Sequence, residues 1–301
     1  MDVLSALSES LAGVVETVGA GVAGVEAGRR SRGTGVVWSQ DGLIVTADHV
    51  VHHDEGIRLR LAGGQVVAGE LVGRDPTTDL AVLRVQGAAV QAVPWEDPAR
   101  LRVGNLVLAL GRPGKTLRVT MGIVSVLGEA WQTPAGGRLD RYLEADVQLY
   151  PGFSGGPLVD TAGKVLGINT AGLRRGGSLT VVTPTIRRVV EALVAHGRVR
   201  HGYLGIATQV VRLAQPLIQQ SNQERGLLVL EVEPGSPAER GGLLLGDTVL
   251  AVAGQPVRYP EDLFGVLGGD RIGASVPVSI IRAGKVEQVV IIVGERLRKT
   301  A

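Results

Sequence analysis

One serine in this chain stands where a serine can be made to react. The stretch Pro151-Gly152-Phe153-Ser154-Gly155-Gly156-Pro157 sets Ser154 on a glycine-flanked turn between two β-rich runs. A serine hydroxyl is a weak nucleophile. To attack a carbonyl it needs a base that takes its proton and N–H donors that hold the oxyanion. Glycines on both sides let the backbone turn sharply and aim amides at one point. Two other segments carry partners for such chemistry. Thr46-Ala47-Asp48-His49-Val50-Val51 ends a strand with a histidine, and Asp75-Pro76-Thr77-Thr78-Asp79-Leu80-Ala81-Val82-Leu83 puts an acid at the mouth of another. Asp75 and Asp48 are rivals to Asp79 for the acid's role. His52 and His53 fall on the Asp54-Glu55-Gly56 turn and read as a solvated loop. A zinc site from His49, His52 and His53 would match no known ligand spacing.

The elements that must position these residues are short and mostly β. Residues 2–11 space Val3, Leu4, Leu7 and Leu11 as an amphipathic helix, and from Val14 onward Gly, Val and Thr read as strand. Strands are expected at Gly35–Trp38, Leu43–Thr46, Ile57–Leu61, Val66–Gly73 and Leu80–Val85. A second set is expected at Leu106–Leu110, Arg118–Leu127, Tyr142–Asp146, Pro157–Asp160, Lys164–Asn169 and Leu179–Val182. Many short strands at this spacing argue for barrels or a sandwich, with Pro94–Arg102 bridging two β halves. A helix follows, capped at its start by Thr183 or Thr185 and at its end by Gly197. Residues 198–202 read as a linker between a first domain, 1–197, and a second, 203–301. The second domain carries strands at Tyr203–Val211, Gly226–Val232, Thr248–Ala253, Pro277–Arg282 and Gln288–Val293. Its helices start at Ser236-Pro237 and over Pro260–Leu267.

Composition narrows the classes. The chain has 301 residues, 45% apolar, enough for two buried cores. Its formal charge of +2 implies no strong nucleic-acid field, and 3% aromatics without a basic block argue against nucleic-acid binding. The absence of cysteine excludes disulfides, thiol nucleophiles and thiolate metal sites. The apolar run Val18–Val25 is far short of the roughly 20 residues a spanning helix needs. Asp2 stands where a signal peptide carries positive charge. As it stands, the chain reads as soluble and cytoplasmic. No phosphate loop is apparent and no cofactor is expected.

The order His49, Asp79, Ser154 is that of two-barrel chymotrypsin-type proteases, not of subtilisins or α/β-hydrolases. Jointly, the motifs resemble the HtrA/Deg family of serine proteases. The matching text is Gly33-Thr34-Gly35, Thr46–Val51, Asp75–Leu83, Gly152–Leu158, Leu166–Thr170, Tyr203-Leu204-Gly205-Ile206, Val232–Ala238 and Gly246-Asp247. The resemblance implies a mainly β fold: a double β-barrel trypsin-like domain with a closing helix at about 185–196, then a small α+β PDZ domain. It implies Ser154 as nucleophile, His49 as general base and then acid, and Asp79 as the group orienting the imidazole. The N–H groups of Gly152 and Ser154 would form the oxyanion hole. It also implies a PDZ domain that adds a peptide C-terminus as a strand. Tyr203, Leu204, Gly205 and Ile206 would form the carboxylate loop and pairing strand, with Leu263, Val266 and Leu267 facing the groove or packing the core.

The expected function is an ATP-independent serine endopeptidase acting on unfolded or damaged proteins. Cleavage is expected after small or medium apolar residues, because no acid lies at positions 147–153. By family resemblance the protein would act in the cell envelope and assemble as a trimer, yet the N-terminal aromatics that support trimers are absent. The chain departs from the family also at Phe153, usually Asn, at Asp48 beside the histidine, and in the short Ser39–Gly42 loop. The alternative is a non-enzyme: a PDZ-bearing peptide binder or chaperone whose barrel is idle because Phe153 blocks the oxyanion loop.

Overall fold

Small and β-branched residues write fourteen strands into the described part of the first 199 residues, because such side chains suit a pleated, half-buried surface. A computed structural model describes residues 2–28, 32–173 and 179–295, and the chain divides into two units, Met1–Val199 and Arg200–Ala301. The outermost residues of the two expected domains, 1 and 296–301, lie outside the described residues.

The first unit opens with helix α1 (Val3–Gly19). Strands β1 (Val22–Ala27), β2 (Arg32–Val37), β3 (Leu43–Ala47), β4 (Ile57–Arg60), β5 (Val66–Asp75) and β6 (Leu80–Val85) follow. They close as a barrel in the order β1-β2-β3-β6-β5-β4, sealed by β1 against β4. Val25, Ile44, Val51, Leu59 and Leu83 fill it. Strands β7 (Leu106–Gly111), β8 (Arg118–Gly128), β9 (Trp131–Gln132), β10 (Arg138–Leu139), β11 (Tyr142–Ala145), β12 (Pro157–Asp160), β13 (Val165–Thr170) and β14 (Leu179–Val182) come next. Six of these form a sheet in the order β11-β8-β7-β12-β13-β14. Its outer strands β11 and β14 meet, so the sheet curls into a second barrel-like layer around Leu143, Phe153 and Leu158. Helix α2 (Thr183–His196) packs Ile186, Val189 and Leu193 into a third cluster shared with Val45, Leu80, Leu110 and Ile168. This shared cluster fixes the two sheets against each other, and the reactive residues lie on the loops at their junction.

Two local expectations give way to packing. Helix α1 runs to Gly19 where strand was expected from Val14. Asp2 caps it by accepting the Ser5 N–H at 2.8 Å, and Leu11, Val14, Val15 and Val18 continue the helical stripe onto the core. That burial outweighs the β preference of the valines. The segment after it, within the stretch read as strand from Val14 onward, forms β1. At the start of α2 neither threonine caps. The N-cap is Val182, while Thr183 Oγ1 donates to Val165 O at 3.1 Å and Thr185 Oγ1 donates to Asp140 Oδ2 at 2.9 Å. Gly197 ends the helix at φ +69°, its N–H on Leu193 O.

The second unit contains β15 (Gly202–Tyr203), β16 (Ile206–Arg212), α3 (Gln215–Ser221), β17 (Arg225–Val232), α4 (Pro237–Arg240), β18 (Thr248–Val252), β19 (Gln255–Pro256), α5 (Pro260–Val266), β20 (Ser275–Arg282), β21 (Lys285–Ile292) and β22 (Gly294–Glu295). Its sheet runs β16-β17-β18-β20-β21, so β16 is an edge strand. Leu227, Val249, Val278, Ile280 and Ile291 form the core. Ser236 caps α4 as expected, accepting the Glu239 N–H at 3.1 Å. Asp247, buried just before β18, is held below the usual carboxylate range: burial, the largest single influence, opposes this, and the Arg282 hydrogen bonds, the Leu244 N–H and the Arg282 charge together outweigh it.

Candidate active site

His49 sits in a single 3₁₀ turn, Asp48–Val50, at the end of β3. Its Nδ1 lies 2.8 Å from Asp79 Oδ2 and 3.0 Å from Oδ1, and its backbone N–H donates to Asp79 Oδ1 at 2.9 Å. With Nδ1–H directed at the carboxylate, the lone pair of Nε2 is left free to accept a proton. The Asp79 hydrogen bond, aided by the charges of Asp79 and Asp48 and opposed by burial, raises the imidazole above its ordinary pKa.

Asp79 is presented by a shaped loop. Asp75 accepts Thr77 N–H at 3.1 Å, Thr77 Oγ1–H at 2.6 Å and Thr78 Oγ1–H at 2.7 Å, an arrangement that winds the turn after β5. Asp79 then adopts φ +54°, a conformation rare outside glycine. Its carbonyl accepts the Asp48 N–H and its Oδ2 accepts the Thr170 hydroxyl. Gly172 closes over this contact: a Cβ there would fall 2.6 Å from Asp79 Oδ2 and 2.8 Å from His49 Nδ1. The rivals have other work. Asp75 is buried within its own turn, and Asp48 is bound by Arg74, which also reaches Asp54 at 3.2 Å. His52 and His53 are exposed.

Ser154 reaches the same place from the second sheet. Its carbonyl accepts the Thr34 N–H at 2.9 Å, and Gly155 presses so closely on β2 and β3 that a Cβ would lie 2.0 Å from Thr34 O and 3.0 Å from Ala47 N. Ala47 is two residues before His49, so this contact seats the serine turn beside the histidine turn. Within the loop, Phe153 N–H donates to Tyr150 O at 3.0 Å across Pro151-Gly152, with Gly152 at φ +89°, the pattern of a type II turn. Phe153 O accepts the Gly156 N–H at 2.9 Å, so the Ser154 N–H on the same trans peptide points the opposite way. Among the described residues, neither the Gly152 nor the Ser154 N–H has a hydrogen-bond acceptor. Phe153 does not occlude the loop. It is 0% exposed, packed in the second sheet's core against Gly111 and edge-on to Tyr150.

One buried hydroxyl, that of Thr34, ties these parts together. Thr34 Oγ1 donates to Gly152 O at 2.7 Å and accepts the Arg112 N–H at 2.8 Å, while Thr34 O accepts the Thr46 hydroxyl at 2.6 Å. Thr34 thus holds the backbone of both Gly152 and Ser154. Its sequence signal was its place in the family-like stretch Gly33-Thr34-Gly35. Thr170, which fixes Asp79, ends the family-like stretch Leu166–Thr170, whereas Gly172 carries no sequence signal.

In the second unit, β15 pairs with β22 and Gly202 N–H donates to Leu267 O at 2.9 Å. Leu204 O accepts the Ala238 N–H and Gly205 O the Glu233 N–H, each at 2.8 Å. The N–H groups of Gly205 and Ile206, on those same trans peptides, therefore point the other way. Gly205 holds φ +85° close against Ser236. Tyr203 and Ile206 are half-buried. Leu204, Leu263 and Leu267 are core side chains, the last two 5% exposed. The loop and the free edge of β16 are therefore the open part of the expected groove, and the helix residues pack inward first.

Residues 33–168 match the family described as a trypsin-like peptidase domain, and residues 202–293 match the PDZ domain family. The chain is 36% identical over 271 residues to a protein of Pseudomonas putida (strain GB-1) named "Probable periplasmic serine endoprotease DegP-like". That alignment covers 88% of this chain and 56% of the relative, so the chain spans about half the length of the curated relatives it matches. A solved structure titled "HtrA-type protease AlgW with tripeptide" is 30% identical with a TM-score of 0.77, covering 96% of this chain and 98% of that one. A second, "HtrA-type protease AlgW with decapeptide", is 27% identical with a TM-score of 0.79, covering 96% and 99%. With two matched domains, this identity and near-complete coverage of a solved relative, the chain belongs to the HtrA-type serine proteases.

Proposed function

We propose that the protein is an ATP-independent serine endopeptidase that cleaves unfolded or damaged polypeptides, with its PDZ unit engaging peptide C-termini. The observation that carries this reading is the His49–Asp79 pair, with Nε2 left free beside the serine turn. Ser154 Oγ attacks the substrate carbonyl carbon while His49 Nε2 takes its proton. The carbonyl oxygen, now an oxyanion, is held by the Gly152 and Ser154 N–H groups. The C–N bond breaks as His49 returns the proton to the departing amine, leaving an acyl ester on Ser154. Water, deprotonated by His49, then hydrolyses that ester and restores the serine. Asp79 keeps the imidazole in the right tautomer and stabilises its cation. Asp48, engaged by Arg74, contributes only charge from a distance.

The idle-barrel alternative loses its basis, since Phe153 is buried away from the loop it was expected to block. Free amides at Gly205 and Ile206 and the open edge of β16 support capture of a peptide carboxylate followed by strand addition. The periplasmic naming of the curated relatives favours the cell envelope over the cytoplasm. Among the described residues no helix is long and apolar enough to cross a membrane. Self-association, as a trimer by family resemblance, draws support from the exposed Val3, Leu4 and Leu7 of α1.

The test is proteolysis of a reduced, unfolded protein against its native form, with and without a peptide bearing an apolar C-terminus. Cleavage of the unfolded form, faster with the peptide, is expected. Equal resistance of both forms, with the nucleophile shown to be reactive, would replace general quality control by a dedicated processing role.

A further inference from the structure

The proposed mechanism leaves one face of the oxyanion loop unused. Beside Gly152 lies a pocket of about 440 Å³ lined by Arg32, Pro113, Lys115, Arg118, Pro151 and Gly152. We propose that this pocket is a substrate subsite that takes an acidic side chain close to the scissile bond. The inference rests on the protease reading, which places the substrate carbonyl at the Gly152 N–H.

The backbone aims the cations there. Arg32 and Thr34 are alternate residues of β2, so they share a face. Thr34 Oγ1 on that face bonds Gly152 O, which directs Arg32 toward the same loop. Arg118 is the cross-strand partner of Gly111, and opposed residues project to one side of a sheet. A Cβ on Gly111 would meet the Phe153 ring, so Arg118 projects from the side on which the serine loop lies. Lys115 belongs to the β7–β8 hairpin, whose Pro113 sits so close to Gly152 that a Cβ there would approach its Cβ to 2.4 Å.

The charges are also available. None of Arg32, Lys115 and Arg118 has an ion pair or a side-chain hydrogen bond within the described residues, and no carboxylate lines the pocket. The nearest acid by pairing, Glu26 opposite Arg32, is already held by Arg58 at 2.9 Å and Arg60 at 3.2 Å. Three unpaired cations beside the reacting carbonyl favour a carboxylate, which a guanidinium binds through two parallel N–H donors, and repel a basic side chain. Exposed pairs of this kind are individually weak and screened by salt, so the preference is modest and ionic-strength dependent.

The experiment uses the full chain and internally quenched peptides of one sequence, with Glu, Gln or Lys substituted in turn at the three positions on each side of the cleaved bond. The readout is the Glu-to-Gln ratio of kcat/KM. Comparing ratios within one protein cancels any loss of folded fraction. At one flank position the ratio is expected to be about three- to tenfold at low salt and to approach one near 1 M salt. In Arg32→Glu/Lys115→Glu/Arg118→Glu it is expected to invert in favour of Lys. A binding arm does not need turnover: the Ser154→Ala chain with the same peptides, amidated at the C-terminus so that the carboxylate loop plays no part, read by fluorescence anisotropy. The Glu peptide is expected to bind tighter than the Gln peptide, and charge reversal to abolish the difference. A ratio near one at every position, a preference untouched by charge reversal, or equal binding in the second arm each overturns the subsite. Absence of cleavage with an intact binding preference overturns the protease reading instead.

Discussion

Replacing Thr34 by valine removes one oxygen from the centre of the site and changes almost nothing else in shape. The side chain is fully buried, and its hydroxyl makes two hydrogen bonds, to Gly152 O at 2.7 Å and from Arg112 N at 2.8 Å. Valine leaves the buried Arg112 N–H and the partly buried Gly152 carbonyl unmatched, at about 1–3 kcal/mol each, so a stability loss of about 2–6 kcal/mol is expected. The catalytic effect is separate. Freed of its tether, the Gly152 carbonyl can turn and carry the neighbouring amides out of register, while the Thr34 N–H still holds Ser154 O. If the Gly152 donor is lost, kcat falls by roughly 10²-fold, the cost of one oxyanion-hole donor, with KM little changed. Thr34→Ser keeps the oxygen and is expected to restore most of kcat. The assay is steady-state cleavage of a quenched peptide at a temperature where denaturant melts show each variant folded. Thr34→Val with wild-type kcat, or Thr34→Ser as impaired as Thr34→Val, would refute this role for the hydroxyl.

Further outcomes concern the pH dependence and the packing behind the serine loop. His49 must be neutral to act as base, and its raised pKa places the acid limb of the kcat/KM profile above the usual imidazole value of about 6.5. Asp79→Asn should shift that limb to lower pH and cut the maximum by roughly 10⁴-fold; an unshifted limb would assign the limb to another group. The linkage has a definite sign: the folded state binds this proton more tightly, so the stabilisation is complete below about pH 6.5 and is lost as pH rises through the folded value. Gly111→Ala would set a Cβ 2.7 Å from the Phe153 ring, and overpacking of about 1–3 kcal/mol is expected in urea melts. Combining it with Phe153→Leu should recover part of the loss, and strict additivity would show that the two positions do not compete for space.

How much of this was legible beforehand follows from how far each interaction reaches along the chain. The residue types at 49, 79 and 154 are visible because each sits in a short, unusual stretch. What holds them is not, because Thr34 meets Gly152 across 118 positions and Thr170 meets Asp79 across 91. Strands were legible where short apolar runs were bounded by turn residues, as in Leu80–Val85 and Pro157–Asp160. The strand reading failed at Val14–Gly19, where valines on a helical stripe met a core no local pattern reveals. Phe153 admits two readings for a related reason: a bulky ring beside a nucleophile can read as an obstruction until Gly111, 42 positions earlier, is seen to make room for it. Leu263 and Leu267 stayed ambiguous because groove and core draw on the same residue types, and only burial separates them.

The central claim is that Ser154 is an activated nucleophile, and the most direct measurement is covalent labelling by a fluorophosphonate probe. The native chain and Ser154→Ala are compared, with and without a peptide of apolar C-terminus. The account predicts labelling of the native chain that vanishes in Ser154→Ala, with a slower rate in Asp79→Asn. Labelling that persists in Ser154→Ala, or no labelling of a folded native chain under either condition, would contradict it.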